Sequence, residues 1–217
     1  MHPNPSFRKI ERARNIAFAR DTAFGMLAVA ADGAPLLSHV PFLLSEDGAQ
    51  VELHLVRSNP ILRLLGAPVP ARIAVQGPYS YVSPDWYGIE DQVPTWNYVA
   101  VHLTGDLVAM PEDSLYDLLD RQPALFEDRL LPKTPWTSSK MTPDVMERMM
   151  RQIVPVRMDV TAINGTWKLN QNKPDEVRLR AAGPLREAGQ GMGTQAISDM
   201  MQSPPERHLP RADQGSP

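Results

Sequence analysis

Three short apolar runs, broken by two Asp-Gly pairs, most constrain what this chain can fold into. Residues 22–31 (TAFGMLAVAA) read as a strand and residues 34–44 (APLLSHVPFLL) as its return, with Asp32-Gly33 between them. Asp47-Gly48 then leads into a third strand, residues 50–56 (QVELHLV). Asp-Gly suits tight hairpins because glycine takes a positive φ without steric cost. In the third strand Val51, Leu53 and Leu55 share one face, while Glu52, His54 and Val56 share the other. Consecutive hairpins imply antiparallel pairing, not the strand–helix alternation of a doubly wound sheet.

The rest of the chain adds helices to this plan. Residues 6–20 read as a helix, with Phe7, Ile10, Arg14 and Phe18 near one face and Ser6 as cap. Ser58-Asn59-Pro60 opens a short helix, serine capping and proline fitting the first turn, and Gly66 ends it. Residues 70–83 and 95–109 read as strands. Pro111 starts a helix to about residue 130, broken near Pro123, and Thr142-Pro143 starts another over 143–152. Residues 154–163 form a strand, Asn164-Gly165 a hairpin turn and Thr166–Leu169 the return. A last helix covers 193–202. The expected architecture is mainly β with inserted and appended helices (α+β), its sheet closed or partly closed into a barrel. One domain spans 1–202, and the polar, proline-rich segment 203–217 reads as a flexible tail.

Composition removes several functions. The 217 residues include no cysteine, which excludes disulfides, thiolate metal ligands and thiol nucleophiles. No apolar run approaches the roughly 18 residues that span a membrane, and MHPNPSFRKIERARN lacks the apolar stretch of a secretory signal. The cytoplasm is therefore expected. A net charge of -3 does not support general nucleic-acid binding. Arg8, Lys9, Arg12 and Arg14, and later Arg178 and Arg180, read as solvated surface. Gly189-Gln-Gly-Met-Gly193 lacks a preceding strand and reads as a flexible linker, not a nucleotide loop.

Four groups of residues could carry chemistry. Arg57, Ser58 and Asn59 stand where a strand gives way to a helix, a place where backbone N–H groups and a guanidinium suit phosphate. His39, His54 and His102 lie in strands, either hydrogen-bonded near a ligand or grouped as metal or haem ligands. Tyr79, Tyr81, Trp86, Tyr87, Trp96 and Tyr98 are six of the nine Tyr and Trp residues, so this one segment holds most of the rings available to stack on a planar ligand or bury an interface. Asn97 and Thr95 could add polar contacts. Lastly, Trp167 to Lys173 combines lysines with amides that can read a heteroaromatic edge. No side chain is compelling as a catalytic acid or base.

Several segments together resemble the PaiB-type family of FMN-binding negative transcriptional regulators. They are Phe24-Gly25 with Leu27, Ser38-His39-Val40-Pro41, His54 with Arg57, Asn59 and Pro60, Gln76-Gly77-Pro78, Tyr81-Val-Ser-Pro84 with Trp86-Tyr87, Val93-Pro-Thr-Trp-Asn-Tyr-Val-Ala-Val-His102, and Lys168-Leu-Asn-Gln-Asn172. The resemblance covers about residues 1–200 in order. It implies an FMN-binding split β-barrel, a homodimer and FMN at the subunit interface. Ser38, His39, His54, Arg57, Ser58 and Asn59 then fall in the cofactor region, with Arg57 toward the phosphate. Trp96, Asn97, Tyr98, Lys168 and Gln171 fall on the later strands of the same region. The chain departs from the family in having Asn170 where serine is usual and Leu53 where glycine is frequent.

The resemblance implies a flavin-linked transcriptional regulator, with DNA as a partner that the net charge does not favour. Two alternatives remain open: an FMN-dependent oxidoreductase transferring hydride from NAD(P)H to an unknown acceptor, with NAD(P)H or another small-molecule substrate as partner, and a haem-binding or haem-handling protein.

Overall fold

A computed structural model describes residues 2–205; most of the expected tail, residues 206–217, lies outside the described residues. The strands are β1 (Phe24–Val29), β2 (Leu36–Pro41), β3 (Leu43–Leu44), β4 (Gln50–Val56), β5 (Val69–Val82), β6 (Thr95–Ala109), β7 (Ile153–Lys168) and β8 (Gly191–Met192). The helices are α1 (Arg12–Thr22), α2 (Leu115–Glu127), α3 (Pro143–Met150), α4 (Asp175–Ala188) and α5 (Thr194–Gln202).

The sheet runs in the order β2-β1-β5-β6-β7-β4-β3, with β8 beside β5. Phe42 alone separates β2 from β3, yet these strands stand at opposite ends of that order. A flat sheet cannot place consecutive strands on opposite edges, so this one curls, as a split barrel requires. The expected first hairpin is present, Met26 opposite His39 and Ala28 opposite Leu37, but its return, expected as one strand over 34–44, breaks at Phe42 into β2 and β3.

The chain divides into two compact units, both of which include parts of β5, β6 and β7. The first comprises residues 16–75 and 102–163. Its β4 pairs with β7, Leu53 opposite Val156, and its core includes Leu27, Phe42, Leu53, Ile73, Leu103 and Met158. Leu53 is fully buried, so the departure from glycine is a core substitution. Helix α2 lies against the other face of β4, with Arg121 paired to Glu52 at 2.7 Å. It runs unbroken through Pro123, against expectation. Burial of Leu115, Leu118 and Gln122 and the Arg121–Glu52 pair offset the backbone hydrogen bond that proline forfeits.

The second unit comprises residues 2–15, 76–101 and 164–205 of the described chain. Its core includes Phe7, Tyr87, Val99, Trp167, Leu185 and Ile197. Helices α4 and α5 pack together, and Ser198 Oγ donates to the Ala182 carbonyl at 2.7 Å.

Several local expectations are corrected. The first helix is a 3-10 turn over Pro5–Phe7 capped by Asn4, not Ser6, followed by α1. Asn59, not Ser58, caps the turn Pro60–Leu64, its Oδ1 accepting from Ile61 N at 3.0 Å. Asn164-Gly165 makes no turn; β7 continues through it. Gly165 is there for close approach, because a Cβ would collide with the Asn15 amide. The Gly189–Gly193 segment is a structured connection and not a flexible linker: Gly191 and Met192 pair with Ser80 and Tyr79. Helix α4 was not expected at all. It buries Arg178, whose Nη2 donates to Asp175 Oδ1 at 2.8 Å, so that arginine is not solvated surface.

Candidate functional site

In the first unit the candidate residues gather around the end of β4. Asn59 Nδ2 donates to Ser38 Oγ on β2 at 3.2 Å, joining two of the residues singled out by sequence. Ser58 is exposed, and its hydroxyl has no hydrogen-bond partner among the described residues. Arg57 is half-exposed and largely engaged: Nε donates to the Arg151 carbonyl at 2.8 Å, and Nη2 donates to Glu112 Oε1 at 2.9 Å. Its backbone N–H donates to the Gln152 carbonyl at 2.7 Å. Arg57 therefore ties the end of β4 to the start of β7. The helix that begins at Pro60 is a five-residue 3-10 turn, too short to supply the dipole of a long helix. What faces an anion here is the remaining guanidinium edge and the Ser58 hydroxyl. That donor set fits a phosphate.

The three strand histidines have different surroundings. His39 is exposed on β2 and stacks on Phe24, ring centroids 6.4 Å apart and planes 24° apart. His54 on β4 has a buried Nδ1 without a hydrogen bond, and Gln122 Nε2 on α2 is likewise buried and unbonded. Burial holds the His54 pKa below its ordinary value, while a side-chain interaction with Gln122 pulls it upward. His102 on β6 also has a buried, unbonded Nδ1; burial lowers its pKa and the Arg72 charge adds to this. No group of three His, Asp or Glu residues that could hold a metal occurs among the described residues.

These shifts give a pH dependence with a definite sign. The unfolded chain takes up these protons near pH 6.5, whereas folded His54 and His102 resist protonation. Their contribution to stability is complete above about pH 6.5 and is lost as pH falls through and below that value. Urea midpoints are expected to be flat from pH 8 to 7 and to decline toward pH 5, and His54→Gln should shallow the decline. A midpoint that rises on acidification would contradict the assignment.

In the second unit Trp96, Asn97 and Tyr98 open β6, and Lys168 closes β7. Lys168 Nζ donates to Thr95 Oγ1 and, at 2.8 Å, to the Trp96 carbonyl. Burial, then the charge of Lys173, lowers the Lys168 pKa. Trp96 is 49% exposed, and Tyr79, Tyr81 and Trp86 form a chain of ring contacts with it. Tyr98 is half-buried, and burial raises its pKa. Asn97 is buried; its Nδ2 donates to Met201 Sδ at 3.2 Å, and its Oδ1 has no partner. Gln171 is also buried, with Oε1 accepting from Leu169 N at 2.7 Å and Nε2 donating to the Trp167 carbonyl. Both ends of that amide serve the chain's own backbone. Asn170 adopts a left-handed φ of 61°, which asparagine tolerates well, and Nδ2 donates to Tyr87 Oη at 3.0 Å. Two participants escaped the sequence reading. Gln122 lacked any signal beyond its place on the buried stripe of α2, and the Phe7 ring under Lys168 could have been suspected only from pairing distant segments.

The curled sheet topology defines a split barrel. The FAD and heme binding protein of Mycobacterium smegmatis superposes with a TM-score of 0.53 at 16% identity, covering 84% of this chain and 80% of that one. The flavocytochrome Anf3 of Azotobacter vinelandii gives 0.54 at 12% identity, covering 77% and 72%. These likenesses establish the fold. A family model described as "Putative FMN-binding domain" matches residues 1–162. The chain belongs to this FMN-binding family, and FMN is its cofactor. It is also 30% identical over 172 residues to the "Protease synthase and sporulation protein PAI 2" of Bacillus subtilis (strain 168), covering 78% of this chain and 82% of that protein.

Proposed function

We propose that this FMN-binding split-barrel protein is a flavin-linked transcriptional regulator of the PaiB type, acting as a cytoplasmic homodimer. The observation that carries the cofactor half is the open donor set at the end of β4, where Ser58 Oγ and the outer guanidinium edge of Arg57 remain for a phosphate. Asn59 and Ser38 fix that corner through their hydrogen bond, and His54 lies on the same strand. When bound, FMN supplies reversible hydride and electron chemistry, while the chain binds and orients it. The regulatory half draws on the kinship with the Bacillus sporulation protein. The dimer draws on an apolar face of β1 and β2: Phe24 and Leu37 are 50% and 56% exposed, with Met26, Ala28, His39 and Pro41 on the same side. No described helix is long and apolar enough to cross a membrane.

Selection of genomic fragments by the FMN-loaded protein tests this reading. One discrete duplex is expected to bind at least tenfold more tightly than unrelated DNA, with affinity falling as salt rises. Absence of enrichment, with rapid bleaching of the bound flavin by NADH or NADPH, would replace the regulator with an FMN-dependent oxidoreductase.

A further inference from the structure

Residues 8–14 (RKIERAR) carry four cations, Arg8, Lys9, Arg12 and Arg14, and one carboxylate, Glu11, in a chain whose net charge is -3. All four cationic residues are exposed. Arg8 and Lys9 have no ion pair among the described residues. Successive members of the set stand at most three residues apart, which is no more than about 11 Å of chain. That is roughly one screening length at 0.1 M salt, so neighbouring charges merge into one positive field. Acids more distant than this are screened, so a negative total does not cancel the field at its surface.

The frame that bears these charges is fixed at both ends. Phe7, 3% exposed, anchors the turn before Arg8, and Arg8 N donates to the Pro5 carbonyl at 2.9 Å. Asn15 Nδ2 donates to the Ile10 carbonyl at 3.5 Å, while its Oδ1 accepts from Nε1 of the buried Trp167 at 2.9 Å. The Arg14 guanidinium rests against the same indole, 5.2 Å from the ring centroid. An ordered segment therefore presents the cations, which lowers the entropy lost when they meet a partner. Arg12 and Arg14 also stand in the first turn of α1, which holds no acid. The positive end of a helix favours acids there and opposes cations. An anion brought to this surface relieves that opposition.

We propose that the segment Arg8 to Arg14 is the surface through which this protein grips the phosphate backbone of duplex DNA. This rests on the regulator reading above and gives it a place on the chain. A duplex presents one negative charge per about 1.7 Å of axis, so a field of this width meets several phosphates at once. A small anion occupies only one or two of the cations. The guanidinium fork matches phosphate oxygens, and lysine adds a point charge. Contacts of this kind position a protein on DNA and carry no sequence information. None of the four residues is among those that the resemblance places around FMN.

Fluorescence polarisation of a labelled duplex of mixed sequence, titrated with the full chain in the presence of FMN at about 50 to 200 mM salt, measures this contact. Arg8→Gln with Lys9→Gln is expected to weaken binding about tenfold at the lowest salt and to make the slope of log K against log salt shallower by about 2. Arg20→Gln with Arg148→Gln removes the same charge from exposed positions elsewhere and should change neither. On a duplex returned by genomic selection, the Arg8 and Lys9 substitutions should lower affinity by the same factor as on unrelated DNA, leaving their ratio intact. Equal losses in the two double variants, or no loss in either, would refute the surface while a selected duplex keeps the regulator reading. Loss confined to Arg8 and Lys9, with no discrete duplex selected, would keep the surface and remove the regulator. A native chain that binds no duplex at any salt would end both. Binding to phosphatidylserine vesicles but to no duplex would likewise overturn the proposal and assign the surface to a membrane.

Discussion

Trp167→Ala is expected to lower the free energy of unfolding by about 3–5 kcal/mol, the range for removing a buried indole. Trp167 is 2% exposed, and its Nε1 donates to Asn15 Oδ1 at 2.9 Å. The Arg14 guanidinium lies 5.2 Å from the ring centroid. Truncation opens a cavity and strips Asn15, itself buried, of a donor in a place that water does not readily reach. For a chain of this size the melting temperature should drop by about 10 °C or more. Thermal unfolding followed by circular dichroism measures it. Trp96→Ala provides the contrast, since half of that side chain is already in water, and it should cost far less. Equal losses in the two variants would mean that Trp167 does not anchor its unit.

Arg57→Ala and Ser58→Ala together are expected to weaken FMN about tenfold to a hundredfold, the effect of losing one or two charge-assisted hydrogen bonds to a phosphate. Folding should barely change, because the Arg57–Glu112 pair is exposed on both sides and such pairs contribute about 0–1 kcal/mol. Arg57→Lys separates charge from geometry. It keeps the attraction but cannot hold the Arg151 and Ile153 carbonyls and Glu112 in a planar fork while presenting a free edge. Riboflavin, which lacks the phosphate, should bind the native chain and the double variant alike. Isothermal titration of both flavins resolves this, and an equal loss for riboflavin would move the phosphate elsewhere.

Much of the architecture was legible because its signals are local. The Asp-Gly turns, the alternation of Val51, Leu53 and Leu55, and the long alternating run 95–109 each report a pleated strand, and β4 and β6 begin and end where those runs do. What failed depended on contacts between distant segments. Asn164-Gly165 carries a strong turn signal, but Asn15 packs on Gly165 and the strand goes straight. Gly183-Pro184 hid α4, although Val177, Ala181 and Leu185 recur at helical spacing after the acidic start at Asp175 and Glu176. Pro123 looked like a break, but packing of the buried stripe of α2 outweighs one missing N–H.

The candidate site was partly legible in the same sense. Residue types and motif order marked Ser38, Asn59, Trp96 and Lys168, and the fold joins the first pair and the second pair by hydrogen bonds. Burial was not legible. Gln171 and Asn97 read as free amides, yet the first folds onto its own backbone and the second lies under Met201. Arg57 read as a free phosphate donor, but most of its fork holds the β4–β7 junction. Sequence shows which side chains can donate, but not that Arg57 already has carbonyl acceptors 94 and 96 residues away.

Titration of FMN into the purified native chain, followed by flavin absorbance and fluorescence, most directly tests the account. It predicts a saturable change reaching one FMN per chain, blunted by inorganic phosphate and weakened in the Arg57 and Ser58 variants. A spectrum identical to free FMN at every ratio, with a correctly folded chain, would contradict it.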